Sequence, residues 1–310
     1  MNKEKTNDMS YAGKVTTHLG CYCQRKYPNR VNGLYRGIEK LYILQIFQNE
    51  RKDKIVLDYN VLDGLKDRCI ELIKKPHPFA HHLNSSQIMC YNFFRRMIDV
   101  DDSCNDELGW YGHPNNELQQ FVKDKIGATI TENAKCRFEY IDTPKYDFVK
   151  AEGVKRGGKE TSSFDFYIEE GTVKVFFEIK YTENDFGSKN TNVSEDSLKN
   201  HLSYFKSGYR EMIETTSVFK RGFEEEQKDL LINNIDRFDK SYQLLRNVLR
   251  VNSNSTYSVF IFPKKNPISK KFHKFITDFS INTSNVKELH WEELTNYMSE
   301  DFIIKYLDFD

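Results

Sequence analysis

Asp165, Glu178 and Lys180 are the residues whose types and spacing could do chemistry. Glu178 stands two positions before Lys180, in Phe176-Phe177-Glu178-Ile179-Lys180-Tyr181, and thirteen after Asp165, in Ser163-Phe164-Asp165-Phe166-Tyr167-Ile168. Both segments alternate like β-strands, whose successive side chains point to opposite faces. Val173, Val175, Phe177, Ile179 and Tyr181 form one apolar phase, and Glu178 and Lys180 fall on the other. Glu169-Glu170-Gly171-Thr172 between the segments is a short hairpin signal, and pairing through it brings Asp165 toward Glu178 on the polar face. Two carboxylates and the Ile179 carbonyl are hard oxygen ligands suited to Mg²⁺, for which Mn²⁺ can substitute. Such an ion polarises a phosphoryl oxygen and lowers the pKa of an attacking water. Lys180 would orient that water or stabilise charge on the transition state. The chemistry is phosphodiester hydrolysis. The competing account is a solvated strand face or a plain cross-strand ion pair.

The elements that must position this triplet are legible in outline. Residues 1–32 are polar and turn-rich and read as an arm or irregular cover. Helical spacing appears at 37–48 and again at 59–75, where Pro76 and Pro78 end it. A third helix is expected from the Asn84-Ser85-Ser86 cap to about Asp99. Another opens at Pro114-Asn115-Asn116-Glu117, with Gly127 at its end. Strands are expected at 136–141, 163–169 and 173–181. Modest helical patches follow near 197–209, then a long helix over 227–249, a buried strand at 257–262 ending at Pro263, and helices at 270–279 and 291–297. The fold class is α/β: from residue 114 the order is helix, three strands, helix, strand around a central mixed sheet. We divide the chain into an N-terminal mostly helical region, 1–110, and a core, 111–310.

With these residues in place, a resemblance emerges. Asp165 … Glu178-Ile179-Lys180 resembles the signature of the PD-(D/E)xK nuclease superfamily, which includes many restriction endonucleases. Phe164 replaces the proline expected before the Asp. The flanks, Ser162-Ser163-Phe164-Asp165-Phe166 and Glu178-Ile179-Lys180-Tyr181-Thr182-Glu183-Asn184-Asp185-Phe186-Gly187, resemble a bacterial restriction-endonuclease-like group. Upstream, Ser85-Ser86-Gln87-Ile88-Met89-Cys90-Tyr91-Asn92-Phe93-Phe94 is similar to a helix of that group, and downstream so is Tyr242-Gln243-Leu244-Leu245-Arg246-Asn247. The resemblance covers roughly residues 80–300. It implies an αβββαβ core, Mg²⁺-dependent cleavage of double-stranded DNA, metal on Asp165, Glu178 and Ile179, and catalysis by Asp165, Glu178 and Lys180. A repair or recombination nuclease that reads DNA structure, and a nucleic-acid-binding module that no longer cuts, are the alternatives. The intact Asp, Glu and Lys speak against the last.

Other residues carry balanced readings. Glu117 is either an extra acidic ligand on the first core helix or a helix N-terminal carboxylate favoured by the dipole. Gln243 and Arg246 reach the site or a phosphate, or simply make a helix surface polar. Gln87 and Asn92 read as structural hydrogen bonders, and Glu183 and Asp185 as a solvated loop rather than a second metal site. Lys150, Lys155, Arg156 and Lys159 lie in a glycine-rich loop suited to phosphate contacts, or to an ordinary surface. Pro263-Lys264-Lys265-Asn266-Pro267 is a similar candidate. His77, His81 and His82 read as satisfied surface histidines.

Bulk composition limits the rest. The chain has 310 residues, 38% hydrophobic, with 23 Phe and 18 Tyr to build a core. Its 46 basic and 46 acidic residues cancel, so a DNA footprint must be local rather than global. No stretch approaches a membrane span and Met1-Asn2-Lys3-Glu4-Lys5 is no secretory signal, so a cytoplasmic location is expected. The six cysteines are expected as reduced thiols; His18, Cys21 and Cys23 lack the second ligand pair of a zinc site. A homodimer is expected, because duplex cleavage needs two sites and a palindromic target mirrors two-fold symmetry.

Overall fold

In the computed structural model, residues 9–74, 76–141, 163–186, 212–214, 216–219 and 242–309 are described. Among them the main sheet has five strands. These are β3 (Lys135–Tyr140), β4 (Phe164–Glu170), β5 (Val173–Ile179), β6 (Thr256–Phe262) and β7 (Val286–His290), after a separate N-terminal hairpin of β1 (Asn32–Tyr35) and β2 (Ile38–Leu44). The spatial order is β7-β6-β5-β4-β3. The β3–β4 and β4–β5 pairs are antiparallel, and the β5–β6 and β6–β7 pairs are parallel. The molecule is thus mixed α/β, as the sequence implies.

Helices cover both sheet faces. α1 (Tyr11–Lys26), α2 (Ser86–Phe94), α3 (Asn116–Phe121) and α6 (Glu300–Tyr306) contribute to one apolar core with Phe166, Ile168, Val175, Phe177 and Ile179. α4 (Tyr242–Val248) and α5 (Ile268–Asp278) contribute to a second core against Phe260 and Phe262. β6 sends Val259 and Ile261 into the first core and Phe260 and Phe262 into the second. Burial on both faces explains its continuous apolar run.

α2 holds the centre. Ser85 Oγ caps it by accepting from Ile88 N, and every residue from Ile88 to Phe94 is buried. Phe94 stacks on Phe166 at 4.1 Å and 11° and meets Phe177 at 5.0 Å. Asn92 accepts from the Leu62 N–H at 3.0 Å and donates to Asn60 O at 3.0 Å and Tyr306 Oη at 2.8 Å. The Tyr181 hydroxyl donates to the Tyr306 carbonyl at 2.6 Å, so α6 is tied to the end of β5 as well.

Several expected elements differ. Residues 11–26 form α1 rather than an irregular cover: Ser10 caps it, and Val15, Leu19, Tyr22 and Cys23 bury one face. The expected 37–48 helix is instead a hairpin strand, Ile38–Leu44, because Arg36 (φ 52°) and Gly37 (φ 79°) make a two-residue turn with both φ positive. Of the described residues 59–74 only Cys69–Ile73 is an α-helix, after a π-helical turn over Val56–Asn60; Asn92 takes the Leu62 N–H and Asn60 donates to Ala80 O and His82 O, so the side chains replace the helical ladder. The helix expected to Asp99 stops at Phe94, passes through one 3₁₀ turn, and is extended at Ile98. Residues 291–297 form two 3₁₀ turns rather than a helix. β7 and α6 were not foreseen. Most of the expected 227–249 helix and the 197–209 patches lie outside the described residues. All six cysteines are free, as expected. No helix of the described residues is long and apolar enough to cross a membrane.

Candidate active site

The β4–β5 ladder runs from Glu170 opposite Val173 to Phe166 opposite Phe177, and one further step would set Asp165 against Glu178. At that step the Ile179 N–H donates to Asp165 Oδ2 at 2.6 Å instead of joining a strand partner. On the other edge the Lys180 N–H donates to Ile261 O at 2.9 Å, so the parallel ladder fixes β5 from that side. A strand residue presents its N–H and C=O to the same edge, and the Ile179 carbonyl therefore shares the Asp165 side.

Glu178 is 3% exposed and Lys180 is 9% exposed. The Lys180 ammonium donates to Glu178 Oε1 at 2.6 Å, and Asn247, from α4, donates to Glu178 Oε2 at 2.9 Å. Trp291 Nε1 donates to the Lys180 carbonyl at 3.3 Å. Burial alone would lower the Lys180 pKa, but Glu178, Glu183 and Asp165 outweigh it and hold the ammonium above its ordinary range. Burial, and then the Glu178 and Glu139 charges, push the Asp165 carboxyl well above the ordinary carboxylate value.

A third carboxylate, which sequence reasoning missed, belongs to the group. Glu139 has φ 48°, in the left-handed region, near the end of β3. Phe138 faces the first core while Tyr140 stacks on Tyr167 at 4.0 Å in an aromatic cluster with Phe164 and Phe176, so the kink at Glu139 breaks the strand's alternation. Ser163 Oγ donates to Glu139 Oε2 at 2.7 Å. Burial raises the Glu139 carboxyl to about 7 from 4.5, hydrogen bonds from Ser163 and Gln87 oppose the rise, and the Glu178 charge adds to it.

A raised carboxyl favours the folded state while it is protonated, and that contribution is lost as pH rises from about 4.5 through about 7. Asp165 is shifted in the same direction. Thermal stability in cation-free buffer should therefore fall across this window, and Glu139→Gln should flatten the fall. Equal slopes for the two chains in a melting series would exclude Glu139 as a source.

Asp165, Glu178, Lys180, Glu139 and Glu183 line one cavity of about 670 Å³. Gln87, Ser163 and Gln243 line it too, as do Tyr35, Tyr42, His77, Phe79 and His82. Gln87 Oε1 accepts from the His77 N–H at 2.8 Å, joining α2 to the ring-bearing segment. Of the other sequence candidates, Glu183 is among these lining residues and several are not. Glu117 pairs with Arg96 and is not among the cavity-lining residues. Arg246 is buried, donates to Ser163 O at 3.3 Å and lies 5.0 Å over the Phe164 ring. Glu183 accepts from the Tyr181 N–H, Asp185 pairs with Lys271, and Lys264 with Glu293. Lys150, Lys155, Arg156 and Lys159 lie outside the described residues.

Among the described residues no cluster of three His, Cys, Asp or Glu side chains is arranged to hold a metal.

The family model for "Restriction Endonuclease associating with ARP" matches residues 10–307. The chain belongs to this family. Membership in REase-ARP spans both the N-terminal region and the sheet, and it suggests a nuclease-type hydrolase with DNA as the implied substrate. No curated protein and no solved structure matches this REase-ARP chain significantly.

Proposed function

We propose that the chain is a Mg²⁺-dependent DNA endonuclease of restriction-enzyme type, built on a PD-(D/E)xK core. The observation that carries this reading is the convergence of Asp165, Glu178 and Lys180 on one cavity in a chain of the restriction-endonuclease-like family. The residues fit a divalent cation. Asp165 is crowded by Glu178 and Glu139, a surplus of negative charge that one buried lysine does not cancel. Beside Glu178, Asn247 Oδ1 is buried with no donor among the described residues, and the water shell of a hydrated cation would supply one.

Asp165, Glu178 and the Ile179 carbonyl would hold the ion. When bound, Mg²⁺, or Mn²⁺ in its place, supplies Lewis acidity toward the scissile phosphate and the attacking water. The protein does the rest. Lys180, kept protonated, orients the water or meets charge developing on the phosphate. Asn247 fixes the Glu178 carboxylate, and Trp291 fixes the backbone at Lys180. The cavity walls position the strand so that the phosphate meets these groups. Double-stranded DNA is the proposed substrate and a homodimer the proposed assembly, with one centre for each strand.

The test is plasmid DNA incubated with the chain in Mg²⁺. Discrete fragments are expected, and Asp165→Ala should abolish them while leaving DNA binding. Cleavage retained by Asp165→Ala would sink the site assignment.

A further inference from the structure

The cavity that holds the carboxylates is also lined by a group of rings that the proposed cleavage does not use. Tyr35 from β1, Tyr42 from β2, and His77, Phe79 and His82 from the segment after them form a chain of ring contacts. Phe79 lies 5.1 Å from His82, 5.4 Å from His77 and 6.3 Å from Tyr35, and Tyr35 lies 6.0 Å from His82. Phe79 is nonetheless 48% exposed and Tyr35 37% exposed, so both rings keep open surface. Burial, with the neighbouring His81, Lys52 and His77 charges, lowers His82 to about 4, and its ring stays neutral at ordinary pH. The Arg36 guanidinium stands 5.3 Å from the Tyr35 centroid, and the Lys52 ammonium donates to His77 O at 2.8 Å. The aromatic rings thus line the same cavity as the proposed phosphate-cleaving groups, and Arg36 and Lys52 stand beside the rings but outside that lining.

We infer that this ring-lined wall receives an unpaired nucleobase of the DNA strand whose phosphate lies at Asp165 and Glu178. Every base has a π-face that stacks on aromatic rings, and cations beside the rings suit the phosphate backbone. A cavity of about 670 Å³ is of the size that holds a small molecule. A nucleotide drawn out of the duplex stack would sit with its base on Phe79 and Tyr35 and its phosphate in the same cavity. The inference rests on the nuclease reading of this cavity and adds to it that cutting is coupled to extrusion of a base.

The experiment uses full-length chain carrying Asp165→Asn, titrated with a fluorescein-labelled single-stranded oligonucleotide and with versions abasic at one position each. One abasic position should weaken binding about 10-fold. Phe79→Ala or Tyr35→Ala should weaken binding of the intact oligonucleotide to a similar extent and erase the abasic penalty, because each change removes one side of the same contact. Phe79→Trp should restore both. Additive losses at every position, Ala variants that bind like their parent, or no DNA binding at all overturn the inference. The nuclease reading is scored separately by Mg²⁺-dependent cleavage with Asp165 intact. Cleavage with an indifferent wall overturns only the stacking, and coupled stacking without cleavage overturns only the nuclease.

Discussion

Lys180→Met should lower the proposed Mg²⁺-dependent DNA cleavage by about 10²–10³-fold, the usual scale for removing one preorganised stabilising group. The same substitution should destabilise the cation-free protein. The Lys180 ammonium is buried 2.6 Å from Glu178 Oε1, and the charges on Glu178, Glu183 and Asp165 all favour its protonated form. Removing it leaves a 3%-exposed carboxylate held, among the described residues, by the Asn247 amide. Breaking a buried pair in this way typically costs about 3–5 kcal/mol. The two effects separate on adding Mg²⁺. Thermal stability should recover in part, because a cation answers the same carboxylates, whereas cleavage should not, because the ammonium's role toward water or phosphate is gone. Lys180→Arg should keep the fold near the parent and restore cleavage incompletely, since a planar guanidinium is not a compact ammonium. Cleavage by Lys180→Met within a few-fold of the parent would remove Lys180 from the mechanism.

Phe94→Ala should cost about 3–5 kcal/mol in chemical denaturation, the range for deleting a fully buried aromatic ring. Phe94 touches neither carboxylate, yet it packs on the residue after one and the residue before the other. Its ring lies on Phe166, which follows Asp165, and against Phe177, which precedes Glu178. Phe121 closes the contact from α3 at 6.0 Å. The hole left by alanine is therefore in the floor of the proposed centre, and cleavage should fall even at temperatures where the fold persists. Phe94→Leu should recover most of the stability. A loss under about 1 kcal/mol for Phe94→Ala would mean that the two segments relax to fill the hole, against the packing described.

The triplet was legible because it sits in strands of plain alternation, where period two decides which residues share a face. Glu139 was not, although its strand was expected. The positive φ at Glu139 switches the face of Tyr140, and no local pattern announces that kink. Asn247 stands in the quoted downstream segment, but its role was not legible: it meets Glu178 across 69 positions, and the packing of α4 on the sheet brings them together. The 37–48 segment misled in the opposite sense. Ile38, Leu41, Tyr42 and Leu44 satisfy helical spacing, yet Arg36-Gly37 turns the chain and β1 supplies a hydrogen-bonding edge. That hairpin carries Tyr35 and Tyr42 to the cavity, so the misread segment is also the one that supplies part of the aromatic wall. β7 and α6, five and seven residues long, are too short for periodicity to stand out.

The ties made by α6 have a consequence for timing. Asn92 on α2 waits for Tyr306, 214 positions away, and the Asn60 carbonyl for Lys305, 245 away. Tyr181, just beyond β5, also waits for Tyr306, and the Lys180 carbonyl waits for Trp291. A chain emerging from the ribosome displays Asp165, Glu178 and Lys180 long before these clasps exist. Contacts so distant in sequence close late, after the loop entropy between them has been overcome. The proposed cutting centre is thereby kept unfinished during synthesis, and a nascent chain in reach of DNA carries the three residues without the frame that would arm them.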